Sequence, residues 1–161
     1  MSLRKMHGML DALILFMNSL ANTGRFTARE ATSLVVTRDT TLVELVRRTW
    51  PFPWRVENHD DWQRIGETVR THHVRVIIFD DDAVPEENRS ELIENIHNCF
   101  PDVLIIYVAG RHSQAVERSA RASGILSYTS KPVEAERLEQ LLRSLSHRLG
   151  ESSGMSRSNT R

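Results

Sequence analysis

Three consecutive carboxylates, Asp80-Asp81-Asp82, follow directly on the apolar run Val74-Arg-Val-Ile-Ile-Phe79. A short run rich in β-branched residues reads as a central strand buried on both faces. In an open parallel sheet, ligands and chemistry gather just beyond the carboxyl ends of the strands, so Asp80 and Asp81 stand where a reactive acid would be. The competing reading is that Asp, a frequent strand breaker, ends the strand and solvates the loop. The elements around the strand have to decide.

Those elements alternate along the chain. Residues 33–37 read as a short buried strand. Asp39 or Thr40 caps the helix that follows, with Leu42, Leu45 and Val46 inward, and Pro51-Phe-Pro53 forbids its continuation beyond Trp50. Residues 54–57 read as an edge strand, and a helix with Trp62, Ile65 and Val69 inward leads to the central strand. After Pro85 come a helix with Leu92, Ile93 and Ile96 inward and a second fully buried strand at 103–109. A helix ending at Ala122 and stopped by Gly124 follows. A last strand at 125–129 precedes a helix that buries Val133, Leu138, Leu141, Leu142 and Leu145. This alternation predicts an α/β, flavodoxin-like (βα)5 fold, a doubly wound parallel sheet covered on both faces. Right-handed crossovers, with the most apolar strands central, give the strand order 2-1-3-4-5. The switch point then lies between the first and third strands, where Thr37, Arg38 and Asp39 face Asp80 and Asp81.

The predicted domain spans residues 32–149. Residues 1–31 read as an extra N-terminal helix and a polar connector, with Met6, Met9, Leu10, Leu13, Ile14, Phe16, Met17 and Leu20 at helical spacing. So apolar a face must bury itself on its own domain, on a copy of the chain or on a partner. Residues 150–161 have no apolar pattern and are expected to be disordered.

With 161 residues the chain is long enough for one domain with a real core, and its 21 basic side chains balance its 21 acidic ones. That balance argues against nucleic acid as the partner. The run from Met9 to Met17 carries Asp11 and falls short of the roughly 20 apolar residues a membrane span needs. Ser19-Leu-Ala-Asn22 is a poor signal-peptide cleavage site, so the expectation is a cytoplasmic protein with no membrane partner. Cys99 cannot form an internal disulfide and reads as a small buried hydrophobe. His72 and His73, adjacent on a strand start, point to opposite faces and share no ion. Trp50, Trp54 and Trp62 are expected to cover the sheet edge. Thr37-Arg-Asp-Thr-Thr41 lacks the glycine of a phosphate loop. No Ser/His/Asp or Cys/His set is readable, and neither a cofactor nor a resident metal is expected.

One segment carries a resemblance. Ala120-Arg-Ala-Ser-Gly-Ile-Leu-Ser-Tyr-Thr-Ser-Lys-Pro-Val133 is similar to the small-residue, aromatic, Lys-Pro segment of receiver domains of two-component response regulators, and the likeness runs from about Ser33 to Leu145. It implies that Asp80 matches the phosphoacceptor aspartate, that Lys131 pairs with it, that the bond to Pro132 is cis, and that Tyr128 holds the aromatic switch position. Receivers usually place a proline four residues beyond the acceptor, which from Pro85 would point to Asp81. Strand logic favours Asp80, with one residue inserted in the loop.

The departures from the family pattern are as informative. Receivers need two acids straight after the first strand to hold Mg²⁺, which neutralises the transferring phosphoryl group. Thr37 and Arg38 stand there, and Asp39 comes one position late. Val108 replaces the hydroxyl residue at the end of the fourth strand. The resemblance therefore implies a degenerate or pseudo-receiver, not an enzyme. It would act by protein contact with a kinase or output domain, through the face of the fourth strand, fourth helix and fifth strand. A homodimer is expected through the N-terminal helix or the face of the fourth helix, fifth strand and fifth helix. Arg38 and Lys131 are expected to hold Asp80 in ion pairs, Arg38 standing in for the metal, unless Arg38 simply points to water. Two other functions stay open. One is a genuine phosphoacceptor on Asp80 or Asp81 with atypical metal ligands such as Asp81 and Asp82, and the other is small-ligand binding at the switch point.

Overall fold

A computed structural model describes residues 31–154. The expected N-terminal helix and the last residues of the tail lie outside these. Five parallel strands, β1 (Thr32–Val36), β2 (Arg55–His59), β3 (Val74–Asp80), β4 (Leu104–Ala109) and β5 (Ser127–Ser130), form one sheet in the order β2-β1-β3-β4-β5. Five α-helices connect and flank them: α1 (Thr40–Thr49), α2 (Ile65–Thr71), α3 (Glu86–Cys99), α4 (Gln114–Ala122) and α5 (Ala135–Gly154). This is the flavodoxin-like fold that the alternation of patterns predicts. Among the described residues no helix is long and apolar enough to cross a membrane.

Alternation along β3 divides the core. Val76 and Ile78 pack with Val35, Val108, Leu138 and Leu142 under α1 and α5. Ile77 and Phe79 pack with Leu34, Ile65, Ile93 and Tyr107 under α2, α3 and α4. Each fully buried aliphatic side chain contributes about 1.5–3 kcal/mol, and β3 is buried on both sides because both layers need it. Local chemistry sets the helix ends. Asp39 caps α1 by accepting from the amides of Thr41 and Leu42. Gly124, at φ +100°, turns the chain after α4 with His97 packed where a side chain would begin.

Several boundaries differ from the sequence pattern. Strands β1, β2 and β5 shift by a residue or two, because pairing with neighbours rather than propensity ends them. Trp62 opens a 3-10 turn (Trp62–Arg64) and packs on the core under α2, α3 and α4, away from Trp50 and Trp54 on the other face. His72 is the C-cap of α2 and not a strand residue, and His73 carries φ +52°. Helix α5 continues past Gly150 to Gly154, beyond the predicted start of the tail.

Candidate functional site

The register carries three strand ends to one edge. Val36 pairs with Phe79, Asp80 with Val108, and Val108 with Thr129. Thr37 and Lys131, just past β1 and β5, therefore converge on Asp80, whose side chain is fully buried. Oδ2 of Asp80 accepts from the Thr37 hydroxyl and from Lys131 Nζ at 2.9 Å, while Oδ1 accepts from the Asp82 amide at 3.1 Å. Lys131 Nζ also lies 3.2 Å from Asp82 Oδ2 and 3.6 Å from Asp39 Oδ2. Burial disfavours the Lys131 ammonium, but its bonds to Asp80 and Asp82 outweigh that and hold its pKa above the ordinary value. Burial likewise opposes ionisation of Asp39. The amide of Leu42 and the charge of Lys131 win, keeping its carboxyl below the usual range.

Asp81 turns the other way. Its Oδ1 accepts from the Gly110 amide at 2.7 Å and its Oδ2 from the Tyr107 hydroxyl at 3.0 Å. Arg89 Nη1 lies 3.6 Å from Oδ2, and Arg89 Nε donates to the Val84 carbonyl at 2.9 Å. Burial first, then the adjacent Asp81 charge, push the Tyr107 phenol far above its ordinary pKa. The approach is close at Gly110: a Cβ there would meet the Asp82 carboxylate. The Tyr107 ring stacks on Tyr128 at 5.6 Å and 11°, and the Tyr128 hydroxyl is 3.3 Å from His112 Nδ1.

The expected site residues are thus distributed unevenly. Asp80 and Lys131 meet, the Lys131-Pro132 bond is cis, Val108 lies beside Asp80, and Tyr128 is buried. Arg38 requires a correction. It is exposed and, among the described residues, makes no ion pair with Asp80. Both faces of β1 are buried, and the difference is which of them carries Asp80: Thr37 shares the face of Val35 and Ile78, on which Asp80 follows, while Arg38 falls to the opposite face beyond the end of the strand. Thr37 supplies the donor that Arg38 was expected to supply. The anchors of Asp81, namely Tyr107, Gly110 and Arg89, went unrecognised. The one signal for them was a glycine directly after the fourth buried strand.

Elsewhere, His72 Nδ1 lies 2.6 Å from Glu57 Oε2, with His59 Nε2 at 3.7 Å from the same oxygen. Burial pushes the Glu57 carboxyl up, but His72 and Arg55 outweigh it and hold the pKa below its usual value. Two grooves, of about 300 Å³ between β5 and α5 and about 180 Å³ between α3 and α4, lie away from Asp80.

No protein-family model and no curated relative matches the sequence. Solved structures do. The signal receiver domain of a putative LuxO repressor protein from Vibrio parahaemolyticus superposes with a TM-score of 0.65 at 14% identity, covering 81% of this chain and 99% of that one. The signal receiver domain of an HD domain-containing protein from Pseudomonas fluorescens gives 0.64 at 23%, covering 76% and 98%. A putative pilus assembly-related protein from Burkholderia pseudomallei gives 0.62 at 18%, covering 75% and 92%. The chain has the fold of response-regulator receiver domains.

Proposed function

We propose that the chain is a receiver-like signalling module that acts by protein-protein contact, its acidic site locked by its own side chains and not phosphorylated in the ordinary Mg²⁺-dependent way. The observation that carries this reading is the occupancy of Asp80: both carboxylate oxygens already accept from Thr37, Lys131 and the Asp82 amide. A hard dication needs several free oxygen ligands. At the two positions after β1 where receivers supply acids, this chain offers a hydroxyl already donated to Asp80 and an exposed cation. Val108 has no hydroxyl for a phosphoryl oxygen. Lys131, tied to three carboxylates, supplies the positive charge that a metal would bring.

One observation favours a second reading, a phosphoacceptor with atypical ligands. Asp80, Asp81 and Asp82 each offer a carboxylate oxygen within 4.8 Å of the others. Against it, both Asp81 oxygens are held by Gly110 and Tyr107. An amide NMR titration with Mg²⁺ and then beryllofluoride, a phosphoryl mimic, separates the two. Resonances of Asp80, Asp82 and Lys131 that stay still at millimolar metal support the locked module. Shifts with Mg²⁺ that spread to Tyr128 on adding the mimic overturn it.

A further inference from the structure

The described chain starts beside a patch of aromatic rings. The Ala31 carbonyl accepts from the Arg55 amide at 3.3 Å, which sets the first described residue next to Trp54. There Phe52 and Trp54 stack at 4.4 Å and 16°, with Trp50 at 5.4 Å from Phe52 and 6.2 Å from Trp54. All three rings are half-buried, at the margin of the core under α1 and α5. Large rings stacked together and left partly covered mark a surface built to be covered.

We propose that the stretch Met6–Leu20 of this same chain is the cover, an amphipathic helix laid with its apolar face on Trp50, Phe52 and Trp54. Its apolar positions, Met6, Met9, Leu10, Leu13, Ile14 and Met17 among them, fall at helical spacing. As a helix it is about 22 Å long. Residues 21–30 reach about 33 Å when extended, ample for a patch that begins beside Ala31. The covalent link decides between this occupant and a second copy: joined through ten residues, the two parts meet at an effective concentration of order millimolar, far above micromolar protein in solution. This inference is independent of the signalling role.

The test uses the full chain with Trp62→Phe, so that emission reports Trp50 and Trp54. Leu13→Glu should red-shift that emission and steepen acrylamide quenching, while far-UV circular dichroism keeps the sheet signal and sedimentation gives the mass of one chain before and after. Unchanged emission overturns the proposal. So does a parent of twice the chain mass whose emission shifts on dilution, which makes a second copy the occupant. A shift seen only after adding anionic vesicles assigns the helix to a membrane and overturns it too. Should Leu13→Glu aggregate, hydrogen exchange decides. Residues 9–20 should be protected in the parent and lose protection in Phe52→Ser, and absence of protection in the parent refutes the cover.

Discussion

Asp80 and Asp81 are neighbours in sequence, both buried, and they live in different surroundings. Asp80 faces the rim, bonded to Thr37 and to a lysine that has other carboxylates within reach. Asp81 faces inward, bonded to a backbone amide and a buried phenol that have nowhere else to turn. The difference shows that a carboxylate's role follows from whether its partners can be re-satisfied without it. Asp81 is a structural tie between the acidic loop and β4, while Asp80 is held by a lysine that it shares with Asp82 and Asp39.

The comparison breaks first at Asp81. Asp81→Ala should cost about 3–4 kcal/mol in urea unfolding, since it strands the Tyr107 hydroxyl, the Gly110 amide and Arg89. A cost under 1 kcal/mol would mean that water replaces the carboxylate and the contrast is false. Asp80→Ala should cost only about 1–2 kcal/mol, because Lys131 turns to Asp82 and Asp39. If it equals Asp81→Ala, the rim is as rigid as the interior. Gly110→Ala should cost about 1 kcal/mol, because the methyl meets only the exposed Asp82 carboxylate, which turns aside and gives up its contact with Lys131; NMR would show the Asp82–Lys131 pair disturbed and the Gly110 amide still bonded to Asp81.

A pH series sharpens the picture away from the site. The folded Glu57 carboxyl has a pKa below its ordinary 4.5. Its stabilisation is present in full above the unfolded value and is lost as pH falls through the folded one. Glu57→Gln should therefore flatten the stability profile below about pH 4.5 and leave it parallel to the parent above. The smallest effect belongs to Arg38→Ala, expected within about 0.5 kcal/mol of the parent as for an exposed side chain that makes no ion pair among the described residues. Any larger loss would restore Arg38 as a clamp on Asp80.

Much of the fold was legible in the residues because it rests on local repeats. Apolar runs of strand length, helical spacing between them and breakers such as Pro51, Pro53 and Gly124 state the element order, and right-handed crossovers convert that order into β2-β1-β3-β4-β5. The acid at the end of β3 was legible for the same reason, lying at a strand terminus on the site edge, whereas the lysine after β5 was legible only through the resemblance of its Lys-Pro segment to receiver domains. Alternation along β1 alone does not choose between Thr37 and Arg38, because Leu34 and Val36 are as buried as Val35. The register of β1 against β3, which sets Val35 beside Ile78, puts Thr37 on the face of Asp80.

The identities of the partners were not legible. Tyr107 and Gly110 reach Asp81 from β4 and the loop after it, and Arg89 reaches it from the first turns of α3. No spacing rule joins those positions, since their meeting depends on the register of β3 against β4. Periodicity within an element is a property of the chain, which is why the strands, the helices and the site edge followed from the residues. Which side chain ends beside which carboxylate depends on how separate elements pack, and a carboxylate's chemistry is set by those neighbours.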